Sequence, residues 1–127
     1  MYARNGLNLA AVTLANAGKA LLGLKAYAEA EPLLRESLSL REKENPDWWE
    51  THNLRSLVGA ALLGQEKYAE AEPLLAAGYA GMKEREAHGP SEARARRGEV
   101  LGMLVRLYDA WGKPDEAARW RNEMAAR

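Results

Sequence analysis

Cysteine is absent from this 127-residue chain, which removes disulfides, thiolate metal sites and cysteine nucleophiles together. The same absence fits a reducing compartment, and a cytoplasmic location is expected. Neither sign of charge is in excess: 18 Lys+Arg stand against 18 Asp+Glu, a formal net charge of +0. No global field draws the chain to nucleic acid or to an anionic membrane, so neither is expected as a partner. No uninterrupted apolar run approaches the roughly 18 residues of a spanning helix. Histidine is scarce, with only His52 and His88, and neither HExxH nor a paired metal spacing occurs. Both are expected at the surface. Ser37, Ser39, Ser56 and Ser91 have no G-x-S-x-G context and no evident base. Glycines are scattered and form no phosphate-cradling loop. The expectation is no catalysis, no metal and no cofactor.

What is present is ordinary for a globular chain, with 47% apolar and 28% charged residues, enough for one domain with a core. The opening stretch MYARNGLNLAAVTLANAG ends on small residues that a signal peptidase could accept. However, Asn5, Asn8, Thr13 and Asn16 interrupt its apolar run. It reads as a structural helix and not as a leader.

The informative feature is repetition. YAEAEPLL occurs at 27–34 and again at 68–75, a spacing of 41 residues. The register extends upstream: Ala17-Gly18 and Leu21-Leu22-Gly23 correspond to Val58-Gly59 and Leu62-Leu63-Gly64. A weaker third copy aligns Ala117 with Ala30 and Ala71. Apolar residues at helical spacing (Leu14, Ala17, Leu21, Leu24; Leu54, Val58, Leu62; Leu101, Leu104, Tyr108) predict a first helix in each unit. A second helix follows each, giving helices at roughly 4–23, 27–44, 47–64, 68–87, 91–111 and 114–126 and no strand. Asn45 with Pro46, and Gly89-Pro90-Ser91, are expected to start the third and fifth.

The pattern resembles the tetratricopeptide repeat, W-x2-L-G-x2-Y followed by A-x3-F and P. Leu14-x2-Ala17-Gly18-x2-Leu21 with Ala30-x3-Leu34 follows it, as does Arg55-x2-Val58-Gly59-x2-Leu62 with Ala71-x3-Leu75. The third unit, Leu101-x2-Leu104-Val105-x2-Tyr108 with Ala117-x3-Arg121, keeps the spacing but loses the glycine and the apolar residue of the second helix. HEAT and armadillo units share a period near 41 but not this small-residue pattern. YAEAEPLL looks like the longer-loop variety of kinesin light chains and of many bacterial proteins. Gly18, Gly59, Ala30 and Ala71 then serve close helix packing, at a cost of about 1 kcal/mol for each glycine in a helix. Pro32 and Pro73 lie one turn into their helices, where a proline forfeits at most one ladder bond.

The resemblance implies an all-α solenoid of three helix-turn-helix repeats, six antiparallel helices in a right-handed superhelix. Repeat 1 would cover about 4–44, repeat 2 about 45–87 and repeat 3 about 90–127. It implies a protein- or peptide-binding scaffold, not an enzyme, whose concave face comes from the first helices. Carried onto this sequence, that face comprises Asn16, Lys19 and Leu22 in repeat 1, with Val12 and Ala15 beside them. Repeat 2 supplies Asn53, Ser56, Leu57, Ala60 and Leu63, and repeat 3 Met103 and Arg106 with Glu99 and Asp109. Relatives that clamp a C-terminal carboxylate use several cations there. Here Lys19 alone matches, so an amphipathic or apolar peptide is expected instead. Arg94, Arg96 and Arg97, flanked by Glu92 and Glu99, read as a solvated face. Trp48 and Trp49 diverge by about 100° on a helix, so at most one faces the core and the other is a candidate contact. The alternatives are self-association into a homo-oligomer through Leu7, Leu9, Val12 and Leu14 of the N-terminal repeat, or an excised or engineered regulatory segment of a bacterial signalling protein.

Overall fold

The computed structural model describes the backbone of residues 2–126 and the side chains of residues 9–87 and 89–126. Six α-helices and no strand occur among them: α1 (Tyr2–Gly23), α2 (Tyr27–Glu44), α3 (Trp49–Gly64), α4 (Tyr68–Glu84), α5 (Ala93–Ala110) and α6 (Pro114–Ala125). A short 3₁₀ turn, Glu86–His88, precedes α5. Each helix packs on the next in sequence, while α1, α3 and α5 also touch side by side. This is a row of helical hairpins with the first helices on one face.

The repeated small residues explain how each hairpin closes. Ala30, Ala71 and Ala117 are fully buried. A Cβ added to Gly18 would lie 2.6 Å from Leu34 Cγ, and one on Gly59 would lie 2.7 Å from Leu75 Cγ. The third hairpin changes both partners of this pair together. Val105 replaces the glycine, and opposite it Arg121, exposed, pairs with Asp109. With no leucine pressing inward, no glycine is required.

The three hairpin turns are also built alike. Lys25 (φ 61), Glu66 (φ 61) and Gly112 (φ 77) occupy matching places in the left-handed region. In each turn the following N–H reaches back five residues, Ala26 to Leu21 O (2.8 Å), Lys67 to Leu62 O (3.0 Å) and Lys113 to Tyr108 O (2.8 Å). That is a Schellman-type helix end. Pro32 and Pro73 lie inside α2 and α4 and are exposed, as are Ala28 and Ala69 one turn before them. Water can therefore satisfy the carbonyl that each proline leaves without its bond.

Two helix starts differ from the sequence expectation. α3 begins at Trp49 because Asn45 is used in a turn: its Oδ1 accepts the Asp47 N–H (2.9 Å) and its carbonyl accepts the Thr51 hydroxyl (2.8 Å). α5 begins at Ala93, with no side-chain cap, because the Ser91 hydroxyl binds the Glu92 carboxylate (2.9 Å) and no helix N–H.

His52 is buried, contrary to the expectation of a surface histidine. Gly78 and Gly81 of α4 make the room, since a Cβ on Gly81 would lie 2.0 Å from His52 Nδ1. Arg55 Nη1 lies 2.8 Å from Nδ1, and Asp47 Oδ1 lies 3.0 Å from Nε2. Arginine can only donate, so Nδ1 accepts and Nε2 carries the proton given to Asp47. Burial, reinforced by the Arg55 charge, holds this imidazole below its ordinary value, against the opposing carboxylate of Glu84. The expectation for His88 concerns a side chain outside the described residues.

Candidate functional site

The first helices leave a groove of about 450 Å³ between them, lined by Lys19 of α1, Trp49, Asn53 and Leu57 of α3, and Glu92, Ala95, Arg96 and Glu99 near and along α5. Trp49, Asn53 and Leu57 are spaced four apart, so α3 presents one stripe to it. A smaller hollow of about 200 Å³ adjoins it, lined in part by Val12, Ala15, Arg41 and Glu50. Lys19, Asn53 and Leu57 line both.

Leu57 forms an apolar floor, 7% exposed and packed into the core. Beside it Arg96 ties α5 to α3. Its Nε donates to Asn53 Oδ1 (2.7 Å), its Nη2 to Ser56 Oγ (3.0 Å) and its Nη1 to Glu99 Oε1 (3.1 Å). Ser56 in turn donates to the Asn53 carbonyl (2.6 Å). With its oxygen claimed by Arg96, the Asn53 amide has its –NH₂ end left to donate. Lys19 is exposed on the opposite wall. The chemistry offered is an apolar floor with amide, ammonium and guanidinium donors above it, balanced by Glu92 and Glu99.

Of the residues expected on the concave face, Lys19, Asn53, Leu57 and Glu99 are brought together, and Val12 and Ala15 line the adjoining hollow. Ser56 is fully buried and acts through Arg96. Met103 is a core residue at 8% exposure, and Leu22, Ala60 and Leu63 are half-buried against the same core. Asn16 and Arg106 are exposed, and neither lines the two hollows just described.

The basic cluster is the main correction. Arg96 is half-buried in the groove wall, and Arg97 is buried, its guanidinium 2.8 Å from Glu86. Only Arg94 of the three is exposed. Flanking acidic residues suggested a solvated face, but Arg96 is held by Asn53 and Ser56 as well as Glu99, and Arg97 by Glu86. Of the paired tryptophans, Trp49 both packs on the core and lines the groove, while Trp48 is half-buried with the Arg41 guanidinium 5.9 Å above its ring.

No group of three or more potential metal ligands occurs among the described residues. No helix there is long and apolar enough to cross a membrane.

Residues 10–47 match the family model described as the tetratricopeptide repeat. No match to a curated protein was found. Among solved structures, the crystal structure of the TPR domain of Arabidopsis FLU is similar in fold. It has a TM-score of 0.77 and 22% identity, covering 95% of this chain and 96% of that one. The likeness spans all three hairpins, whereas the sequence match runs from within α1 to the turn after α2. The chain thus resembles a tetratricopeptide repeat in sequence at residues 10–47 and has the tetratricopeptide-repeat fold along its length.

Proposed function

We propose that the chain is a non-catalytic scaffold that binds a peptide in the groove between α1, α3 and α5. The observation that carries this reading is the convergence of Lys19, Asn53 and Leu57 from two repeats, facing Arg96 from the third. A volume of about 450 Å³ lies within the usual range of small binding sites. The preferred ligand places an apolar side chain over Leu57 and Trp49. It turns a backbone carbonyl or carboxylate toward the Asn53 amide and Lys19. Glu92 and Glu99 disfavour a strongly acidic peptide, so an amphipathic segment fits best.

The test is selection of a displayed decapeptide library on the full chain, followed by titration of the enriched peptides. Lys19→Glu should weaken them at least tenfold and leave the melting temperature in place, because Lys19 is exposed. Unchanged affinity would refute the assignment. Leu57→Glu is unsuitable for this purpose: at 7% exposure it would bury a carboxylate and unfold the site.

A further inference from the structure

A second hollow, of about 580 Å³, meets the groove at the start of α3. It lies between the segment that leads into α3 and the one that leads into α5, and Asp47, Trp48, Trp49, Glu50, Arg85 and Pro90 line it. A Cβ on Gly89 would lie 2.8 Å from Trp49 Cδ1, so the turn at 89–90 presses on the edge of that indole and closes the far wall. The hollow and the groove share side chains. Trp49 lines the groove as well, and Glu50 lines the smaller hollow beside the groove. A ligand lying along α3 from Leu57 toward the first turn therefore passes from one into the other.

The charges of this hollow are unevenly spent. Arg85 is bound to one oxygen of Asp47, and the other oxygen of Asp47 accepts from His52 Nε2 (3.0 Å). Arg41, over the Trp48 ring, is bound to Glu44 (3.2 Å). Glu50 is exposed and has no hydrogen-bond or ion-pair partner among the described residues. Two carboxylates thus line the hollow against one guanidinium, and the carboxylate left over stands beside two indoles. A cation on an alkyl stem suits that setting, because Glu50 meets its charge and the indoles meet its stem and ring-face attraction. An anion would be repelled by Glu50 and would find Arg85 already taken. We infer that the hollow seats a lysine or arginine of the same peptide whose apolar residue lies over Leu57. This rests on the peptide-groove reading and gives the ligand a second fixed point. Leu57 and Glu50 are seven residues apart on α3, about 10 Å of helix, which an extended chain covers in about three residues. The ligand is therefore an amphipathic segment with a basic residue about three positions from its apolar anchor.

The test reads charge from the decapeptides that the full chain selects. The enriched peptides should carry a lysine or arginine about three residues from the apolar anchor. Glu50→Lys should weaken the tightest of them roughly fivefold or more, with the melting temperature unmoved because Glu50 is exposed. Exchanging the basic residue of that peptide for glutamate should restore its affinity for the Glu50→Lys chain and lower it for the native one. Peptides weakened by Lys19→Glu but indifferent to Glu50→Lys would overturn this inference and leave the groove standing. Enrichment of an acidic residue at that place would overturn it too, since Arg85 would then be the contact. Peptides indifferent to both substitutions, or no enrichment at all, would remove the groove and the hollow together.

Discussion

Gly59→Ala isolates the packing argument at a single methyl group. The added Cβ would lie 2.7 Å from Leu75 Cγ, 2.9 Å from its Cδ2 and 3.2 Å from its backbone nitrogen. Carbon atoms in good contact stand about 3.5–4.0 Å apart, so Leu75 must retreat by roughly 1 Å into a core where it is fully buried. Overpacking of this kind costs about 1–3 kcal/mol. Replacing glycine by alanine inside a helix returns about 1 kcal/mol, leaving a net loss of up to about 2 kcal/mol. At about 4 °C for each kcal/mol in a domain of this size, the melting temperature should fall by up to about 8 °C. The sharper assay is a double-mutant cycle read by urea unfolding. Leu75→Ala alone should cost about 2–5 kcal/mol. In its presence the Gly59→Ala methyl has room, so the double variant should cost about 1–3 kcal/mol less than the sum of the singles. Gly23→Ala, with open space around it, serves as the control and should be neutral or stabilising. Additivity within about 0.5 kcal/mol, or an equal response at Gly23, would refute the reasoning.

Two further outcomes follow from the turns and the buried histidine. Glu66 holds a left-handed conformation (φ 61) where the third turn has Gly112, so Glu66→Gly should stabilise the chain by up to about 1 kcal/mol; a lower melting temperature would contradict this. The His52 imidazole sits below its ordinary value of 6.5 because burial disfavours the charged form. The unfolded chain therefore binds the proton more readily, and stability should decline as the pH falls below 6.5. Protonation would also place an N–H against Arg55, the donor that Nδ1 now accepts. Urea midpoints at pH 7.5 and 5.5 should differ more for the native chain than for His52→Gln; the same slope in both would remove His52 as the cause.

Repetition determines how much of this molecule can be read from its letters. Where a position has a counterpart 41 residues away, as Gly18 has in Gly59 and Ala30 in Ala71, two occurrences of one residue type reveal a shared packing demand. All six helices were legible on that basis. The burial of His52 was not, because it depends on Gly78 and Gly81 in the facing helix, and repeat 1 has no histidine to compare. Arg96 and Arg97 were misread for a related reason. Their partners Asn53, Ser56 and Glu86 lie on other elements, while the sequence shows only the adjacent glutamates. Lys19, Asn53, Leu57 and Glu99, which line the groove, are positions carried over from the family's concave face; Arg96 lies outside those positions. The breaks in the pattern are the most informative. Val105 with Arg121 is a compensated break, in which the glycine and its leucine change together. Pro114 with Ala118 is an uncompensated one, because nothing in the third repeat replaces the tyrosine and glutamate of the other two. A compensated break preserves packing inside the chain.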